Sequence, residues 1–389
     1  MSQPSPSEFL AHFQNQRQRT IDILTELVNF ETPTTVKASV DALGSFMEQQ
    51  FLSLGASSLS RIPQEAVGDF LLAKWNEDSP GHPIMFLIHI DTVWPLGTLA
   101  ERPPTITDEG AKLYGPGAID MKGGITIVLT ALRGLNELGQ MPARPIWILM
   151  TSDEEVGSIY SQPVIEELAP QVGLVLVMEP ATPDDALKTW RKGVSNYVVK
   201  VEGRPSHAGN APEQGINAIV ELAQQTMKLQ SLNDLKNGTS VSVTVIKGGS
   251  ATNVIPAYAE AHVDVRTMTA ESHRNINAAI LGLEPFLPGA KVSVEMHHAR
   301  GPMERNAQMQ ATFGQCKAIG ESLGLTIREE GSGGGSDGNI TAHLGIATLD
   351  GLGAQGEGLH ALHEHVVINS LPRHAALIAA MLRDWKFAD

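Results

Sequence analysis

Several classes of protein are excluded by the residue types and segments that this 389-residue sequence lacks or has few of. It contains one cysteine, Cys316, so no disulfide can form within the chain, and this favours a reducing compartment. There are only 28 Lys and Arg against 43 Asp and Glu, and the net charge of −15 argues against nucleic acid or an anionic membrane as a partner. No apolar run has the length of a transmembrane helix, and residues 1–7 lack the features of a signal peptide. We therefore expect a cytoplasmic protein.

The length of the chain exceeds that of one ordinary domain, and its 42% of hydrophobic residues can build sizeable cores. Three continuous apolar segments have strand length and the composition of strands that are buried on both faces: 83–88, 145–150 and 174–178. Residues 123–138, between the first two segments, have the apolar spacing of a helix. This alternation of helices and buried strands predicts an α/β domain with a mostly parallel sheet.

A different pattern begins near residue 193. Strand and helix signals follow in the order strand, helix, strand, strand, helix, strand, over residues 194–201, 215–229, 241–246, 257–267, 272–283 and 291–296. This is the element order of a ferredoxin-like α+β domain. We therefore predict that residues 191–300 form an inserted domain, and that residues 1–190 and 301–389 together form the catalytic domain.

Polar side chains follow each of the three buried strands. His89 and Asp91 come after the first strand. The acidic run 153–155 comes after the second, and Glu179 after the third. Because sites in open α/β sheets form at the carboxyl ends of strands, these side chains can converge, and Asp120, in a glycine-rich segment, adds a further carboxylate. A metal pair needs a shared oxygen ligand, terminal ligands and a separate carboxylate for proton transfer, so the sequence predicts a two-metal hydrolase site.

Each of these features also has an ordinary structural explanation. An aspartate before a helix, such as Asp120, is commonly an N-cap, and an acidic run such as 153–155 is commonly a solvated turn. Against the second explanation, this run lies between a buried strand and Gly157, where charge repulsion is costly without cations. From its local sequence alone, His207 is an ordinary loop histidine. Spacing alone does not select a ligand from three histidines near the C-terminus: His360, His363 and His365.

Motifs for other kinds of catalysis are absent from the sequence. There is no Gly-x-Ser-x-Gly elbow and no Walker-type phosphate loop, and Cys316 lies in a predicted helix with no motif around it. The glycine-rich run 331–336 instead suggests a backbone that closely approaches a ligand.

Five sequence blocks, in this order, resemble those of the M20 metallopeptidases, most closely the glutamate carboxypeptidase (carboxypeptidase G2-like) branch. The blocks are residues 89–93, 115–124, 153–158, 178–180 and 206–218. The resemblance extends over nearly the whole chain, and five blocks in order are far more specific than any one motif. Residues 334–338 depart from this branch, because they are more similar to the branch of acetylornithine deacetylase and succinyl-diaminopimelate desuccinylase.

The resemblance implies a complete metal site. Five residues would be the ligands of two Zn²⁺ ions, for which Co²⁺ or Mn²⁺ could substitute: His89, Asp120, Glu155, Glu179 and His360. Asp120 would bridge the ions. His89 and Glu179 would complete one site, and Glu155 and His360 the other.

The resemblance also implies how the residues around the ligands act. His360 is selected from its neighbours because Glu364 follows it four residues later, as in the family. Glu154 would be the general base, and Asp91 would orient His89. The peptide bond between Asp120 and the next residue would be cis.

In the inserted domain, the resemblance implies contacts to the substrate from His207, Asn253 and Arg266. Gly335 would contribute a further contact from the glycine-rich run. The domain would form a homodimer across residues 191–300, so that His207 acts at the active site of the partner.

The implied function is hydrolysis of the amide bond of a C-terminal, glutamate-type amino acid in a small peptide or an N-acyl amino acid. One alternative is an N-acyl-amino-acid deacylase of the acetylornithine deacetylase or succinyl-diaminopimelate desuccinylase type. Another is a binding protein with a decayed site, which would normally lack a ligand or the base. No such residue is missing from this sequence.

Overall fold

The computed structural model describes residues 4–387. Residues 1–3 and 388–389, at the outer ends of the predicted catalytic segments, lie outside that range. The chain divides into two compact units. The first extends to Trp190 and includes Arg305–Gly331 and the chain from Ser336 onward, whereas the second comprises Arg191–Glu304 and Ser332–Gly335. Part of the glycine-rich run thus lies with the second unit, although we predict residues 301–389 as part of the catalytic domain.

The described residues form eleven helices and eighteen strands. The helices are α1 (Pro6–Gln14), α2 (Arg17–Val28), α3 (Lys37–Ser53), α4 (Thr98–Glu101), α5 (Gly123–Leu138), α6 (Gln162–Leu168), α7 (Ala218–Gln230), α8 (Ala270–Leu281), α9 (Ala307–Ser322), α10 (Gly338–His343) and α11 (Ser370–Asp384). The strands are β1 (Ser58–Ile62), β2 (Phe70–Trp75), β3 (Ile84–His89), β4 (Thr105–Thr107), β5 (Lys112–Tyr114), β6 (Ile146–Thr151), β7 (Leu174–Val177), β8 (Ala186–Arg191), β9 (Gly193–Glu202), β10 (Ser206–His207), β11 (Ser240–Gly248), β12 (Val254–Ile255), β13 (Tyr258–Thr267), β14 (Lys291–Arg300), β15 (Arg328–Ser332), β16 (Thr348–Leu349), β17 (Gly356–Glu357) and β18 (His365–Val367).

The main sheet of the first unit has the strand order β1-β2-β6-β3-β7-β16. Strands β6, β3, β7 and β16 are parallel to one another, β2 is antiparallel to both of its neighbours, and β1 therefore runs in the same direction as the other four. Every residue of β3, β6 and β7 is buried, which explains why these strands are continuous apolar runs in the sequence. The mostly parallel sheet is therefore confirmed. Because the three buried strands are parallel, their carboxyl ends lie at the same end of this sheet.

Helix α5 packs against α11, and the first ten residues of α5 are all buried. Its start lies close to the chain that follows β7. A Cβ atom at Gly124 would lie 2.2 Å from the carbonyl oxygen of Met178, so only glycine allows this approach. The segment that carries Asp120 is thereby held next to the segment that carries Glu179.

A second sheet of the first unit has the order β17-β18-β5-β4 and is antiparallel. In the β18–β5 pair, His365 lies opposite Tyr114. This register places the residues that precede β18 beside the residues that follow β5. Two segments far apart in the sequence, one with His360 and one with Asp120, are thus brought together.

The second unit contains a four-stranded antiparallel sheet in the order β11-β13-β9-β14. Helices α7 and α8 pack against it, over a core that includes Tyr197, Val199 and Leu222. This is the predicted ferredoxin-like arrangement. A short ribbon, β10 with β12, places His207 opposite Val254. None of the helices in residues 4–387 combines the length and the apolar character needed to cross a bilayer.

Candidate metal centre

The five predicted ligands come together at the carboxyl ends of the buried strands of the main sheet. His89 ends β3, Glu155 follows β6 and Glu179 follows β7. Asp120 belongs to the distorted turn Ala118–Lys122 before α5, and its peptide bond to the next residue is cis, as the resemblance implies. His360 lies in the turn between β17 and β18.

The carboxylate of Asp120 lies between two histidines. Its Oδ1 is 3.1 Å from Nε2 of His89, and its Oδ2 is 3.3 Å from Nε2 of His360. On one side, Nε2 of His89 is also 3.5 Å from Oε1 of Glu179. On the other, Nε2 of His360 is 3.0 Å from Oε2 of Glu155. The side chains thus fall into two groups that share Asp120, which is the grouping that the resemblance implies for two ions.

Burial and charge act against each other in this cluster. Burial raises the pKa of Glu155 to about 7, although a hydrogen bond to His360 opposes the shift. Hydrogen bonds to Asp120 and Glu155 raise the pKa of His360 to about 10. Burial disfavours the charged form of His89, but its hydrogen bonds, first to Asp120, leave its pKa well above the usual value. The carboxylates therefore need positive charge nearby, from protonated histidines or from cations.

The donor atoms fit divalent cations. Oε1 of Glu155 is buried and has no hydrogen-bond partner among residues 4–387, although a buried carboxylate oxygen normally accepts a hydrogen bond. The ligand atoms of His89, Asp120 and Glu155 all lie within 4.8 Å of one another, and so do those of His89, Glu154 and Glu179. Imidazole and carboxylate ligands in such clusters are typical of zinc sites.

Asp91 joins two of the strand ends that form the site. Nδ1 of His89 is 3.1 Å from the backbone oxygen of Asp91 and 3.4 Å from its Oδ1. The same carboxylate accepts hydrogen bonds from the backbone N–H groups of Glu154 and Glu155, at 3.3 and 3.2 Å. An acceptor at Nδ1 keeps the proton on that nitrogen and leaves the lone pair of Nε2 directed at the centre of the site. Asp91 is thus placed to orient His89.

Two residues outside the predicted set of ligands and catalytic groups support the site. The hydroxyl of Thr34 donates to Oδ2 of Asp91 at 2.7 Å, and no motif around Thr34 signals this role. Glu364, the acid that follows His360 by four residues, is completely buried and contacts the backbone around Asp120. Asp153, the first acid of its run, accepts the N–H groups of Tyr160 and Ser161 and so shapes the turn after β6.

Four further predicted residues belong to the second unit. His207 is exposed, and its Nδ1 accepts hydrogen bonds from the N–H groups of Gly209 and Asn210, both at 3.1 Å. An acceptor Nδ1 means that the neutral ring carries its proton on Nε2. The backbone oxygen of Asn253 accepts from the N–H of Ala208 at 2.9 Å, so His207 and Asn253 are neighbours.

Arg266 and Gly335 lie elsewhere in the second unit. The guanidinium of Arg266, on β13, forms two hydrogen bonds of 2.9 Å with the carboxylate of Asp264. The carbonyl oxygen of Gly335 accepts a hydrogen bond of 3.3 Å from Nη1 of Arg191. Gly331, in the first unit, has a packing role, because a Cβ atom there would overlap the ring of Trp190 at 1.6 Å.

The chain is similar to known proteins over most of its length. The sequence profile of Peptidase family M20/M25/M40 matches residues 85–384. The chain is 32% identical over 379 residues to carboxypeptidase G2 of Pseudomonas sp. (strain RS-16), with 95% of this chain and 90% of that protein covered. It is 26% identical over 380 residues to succinyl-diaminopimelate desuccinylase of Nautilia profundicola, with 94% and 99% covered. An aminopeptidase structure from Bacillus cereus has the same fold, with a TM-score of 0.76, 22% identity, and 94% and 98% of the two chains covered.

Proposed function

Since the chain belongs to peptidase family M20/M25/M40 and is a hydrolytic enzyme, we propose that it is a cytoplasmic di-zinc hydrolase that releases a C-terminal, glutamate-type amino acid from a small peptide or an N-acyl amino acid. One observation carries the proposal: two groups of candidate ligands share the carboxylate of Asp120. A shared carboxylate between two ligand sets is the arrangement that a metal pair requires.

His89 and Glu179 would hold one ion, Glu155 and His360 the other, and Asp120 both. When bound, the two ions supply Lewis acidity that polarises the scissile carbonyl and lowers the pKa of the attacking water. The unpartnered buried oxygen of Glu155 supports this assignment, because an ion would satisfy it.

Glu154 is the residue that we assign to proton transfer. Its backbone N–H is held by Asp91, and its carboxylate lies in the same cluster as His89 and Glu179. Glu154 takes a proton from the attacking water and then delivers it to the leaving amine, so that the carboxylate is regenerated in each turnover. This role needs a carboxylate that lies close to the metal ligands but is not itself needed as a metal ligand.

His207 is the residue that we assign to the oxyanion. Because two backbone N–H groups occupy Nδ1, the proton on Nε2 is directed away from its own loop. That N–H can donate a hydrogen bond to the oxygen on which negative charge develops. The neighbouring Asn253 offers an amide for a further polar contact to the substrate.

Arg266 is the proposed partner of the substrate carboxylate. Two of its N–H donors are held by Asp264, and a guanidinium has five, so donors remain for a second carboxylate. Gly335 would add a backbone contact. The preference for a glutamate-type substrate rests on the similarity to carboxypeptidase G2. The similarity to a desuccinylase and the sequence of residues 334–338 favour the deacylase as the second candidate.

The second unit offers a surface for a second copy of the chain. Strand β11 is at the edge of its sheet, where Val245 and Ile246 are exposed. On α7, which packs beside β11, Ile219 and Met227 are exposed as well. An exposed apolar strand edge normally has a partner, and a two-fold axis lets one edge pair with its own copy. We assign this surface to a homodimer in which His207 serves the partner's active site.

A hydrolysis screen after chelation tests the function. The metal-free enzyme is given Zn²⁺, Co²⁺ or Mn²⁺ and assayed on N-acyl glutamates, on dipeptides with C-terminal glutamate, and on N-succinyl and N-acetyl derivatives of basic amino acids. We expect no activity without metal and the highest kcat/KM on the C-terminal glutamyl amides. Full activity of the metal-free enzyme would contradict the metal assignment, and a preference for the succinyl or acetyl compounds would establish the deacylase instead.

A further inference from the structure

The side chain of Glu364 is completely buried beside the turn that carries Asp120. Its Oε2 accepts hydrogen bonds from the N–H of Gly117 at 2.9 Å and from Nε1 of Trp94 at 2.6 Å. Its Oε1 accepts from the N–H of Ile119 at 3.1 Å and from the N–H of Asp120 itself at 3.4 Å. One carboxylate therefore binds three backbone groups of a single turn, including that of the proposed bridging ligand.

The pairing of β5 with β18 explains how residue 364 reaches this turn. His365 lies opposite Tyr114, so the residue before β18 faces the residue after β5. The backbone oxygen of Glu364 accepts a hydrogen bond of 3.4 Å from the N–H of Gly115. The side chain then extends along the turn that leads to Asp120. Buried N–H groups in such a turn need an acceptor from outside it.

The chemistry of these contacts requires an ionised carboxylate. All four partners are N–H donors, and a carboxylate is the side-chain group that only accepts. A glutamine amide has nearly the same shape, but one of its two ends is an NH₂ group that donates. That end would face two N–H groups, so the amide can satisfy only one side of the arrangement. The shape of the side chain is kept in such a variant, whereas the two hydrogen bonds at the NH₂ end are lost.

The same residue also anchors the turn that carries His360. The N–H of Glu364 donates to the oxygen of Ala361 at 3.0 Å, and the N–H of Ala361 donates to the oxygen of Gly358 at 2.9 Å. A Cβ atom at Gly358 would lie 2.8 Å from the nitrogen of Glu364, so this turn is tightly packed against residue 364. Residue 364 thus contacts the Asp120 turn through its side chain and the His360 turn through its backbone.

We propose that Glu364 is a positioning residue that sets the orientation of Asp120 and His360 and thereby the affinity of the site for its metal ions. The inference rests on the proposed function, in which those two residues are ligands. Glu364 touches neither the ions nor the substrate in this account. It acts through the backbone of the ligand-bearing turns.

The test compares Glu364→Gln with Glu357→Gln, the same substitution at an exposed carboxylate of the neighbouring strand β17. Zinc affinity and stoichiometry are measured by calorimetry against a competing chelator, and kcat and KM are measured across a zinc titration. For Glu364→Gln we expect zinc binding to weaken about 10- to 100-fold, as is usual when a residue that supports a ligand is lost. We expect kcat at limiting zinc to fall with little change in KM. Glu357→Gln should match the wild type.

Two further measurements keep the inference open to contradiction. If Glu364→Gln does not fold, Trp94→Phe removes one of the four donors and should weaken zinc binding by a smaller factor; an unchanged affinity overturns the inference. Amide hydrogen exchange at Gly117, Ile119 and Asp120 needs no metal, and we expect faster exchange in Glu364→Gln. If the wild-type enzyme binds no zinc, the proposed function is contradicted. If the wild type binds zinc, and Glu364→Gln has the same zinc affinity and the same rate of amide exchange, only this inference is contradicted.

Discussion

Three proposed metal ligands of the first unit and two proposed substrate contacts of the second are held in very different ways. In the first unit, His89, Asp120 and Glu179 are buried, and each contacts another member of the cluster. In the second unit, His207 and Asn253 are exposed at the short β10–β12 ribbon. Fixed geometry suits metal ligands, which tolerate little displacement, and exposed polar groups suit contacts to a substrate. We therefore expect substitutions in the first unit to change metal binding and kcat. Substitutions in the second unit should change the stabilisation of the oxyanion and the binding of the substrate.

Glu154→Gln should produce the largest loss. The amide cannot take a proton, so kcat should fall by about 10²- to 10⁴-fold or more, because the same group also protonates the leaving amine. Zinc content should stay at two per chain by elemental analysis. Glu155→Gln, one residue later, should instead reduce zinc content. The control is Glu167→Gln, an exposed acid on α6. A Glu154→Gln enzyme with wild-type kcat would refute the assignment of the base.

His207→Ala should lower kcat by about 10²- to 10³-fold, the usual effect of removing one oxyanion donor. Metal content should not change, since His207 belongs to the other unit. Mixing this variant with Glu154→Gln should restore activity, because a heterodimer has one site with Glu154 from one chain and His207 from the other. The readout is the recovery of activity after subunit exchange. Absence of recovery would mean that His207 acts within its own chain or not at all.

Ile246→Asp should weaken the homodimer and lower activity most at low enzyme concentration. The new charge would lie on the exposed edge strand β11, where the native side chain is 56% exposed. Ile106→Asp is the matched control, because Ile106 on β4 of the first unit is 46% exposed. Sedimentation should give a monomer only for Ile246→Asp. A wild-type protein that is monomeric at assay concentration would contradict the proposed surface.

Arg266→Lys should have the smallest effect. A lysine cannot form the paired hydrogen bonds of a guanidinium, so kcat/KM on glutamyl amides should fall about 10-fold, the equivalent of ~1.4 kcal/mol. Most of the change should appear in KM, and Arg274→Lys, at an exposed position on α8, should be neutral. A loss confined to kcat would argue that Arg266 does not bind the ground-state carboxylate.

The sequence alone was enough to predict the main sheet and the position of the candidate site. Strands β3, β6 and β7 are buried on both faces, so they appear as uninterrupted apolar runs, and the polar residues after them are easy to recognise. The grouping of the ligands came from the family resemblance and not from their spacing. The resemblance also implied that Asp120 is shared, and in the structure its carboxylate oxygens lie 3.1 Å from Nε2 of His89 and 3.3 Å from Nε2 of His360.

Other features could not be predicted, for physical reasons. The contact of Glu364 with the Asp120 turn depends on β5 and β18, which have three residues each and show no periodic pattern. The pairing of Arg266 with Asp264 involves two polar residues on one face of a strand, a pattern that also occurs without a contact. Gly331 makes room for the ring of Trp190. A glycine-rich sequence looks the same whether its backbone packs against a side chain or approaches a ligand, so this contact could not be predicted.

Anomalous diffraction at the zinc absorption edge, on crystals of the zinc-loaded enzyme, would show whether two metal ions share Asp120. We predict two peaks, one beside each oxygen of the Asp120 carboxylate. The first should contact His89 and Glu179, and the second Glu155 and His360. A single peak, or two peaks that do not share Asp120, would show that Asp120 does not bridge two ions.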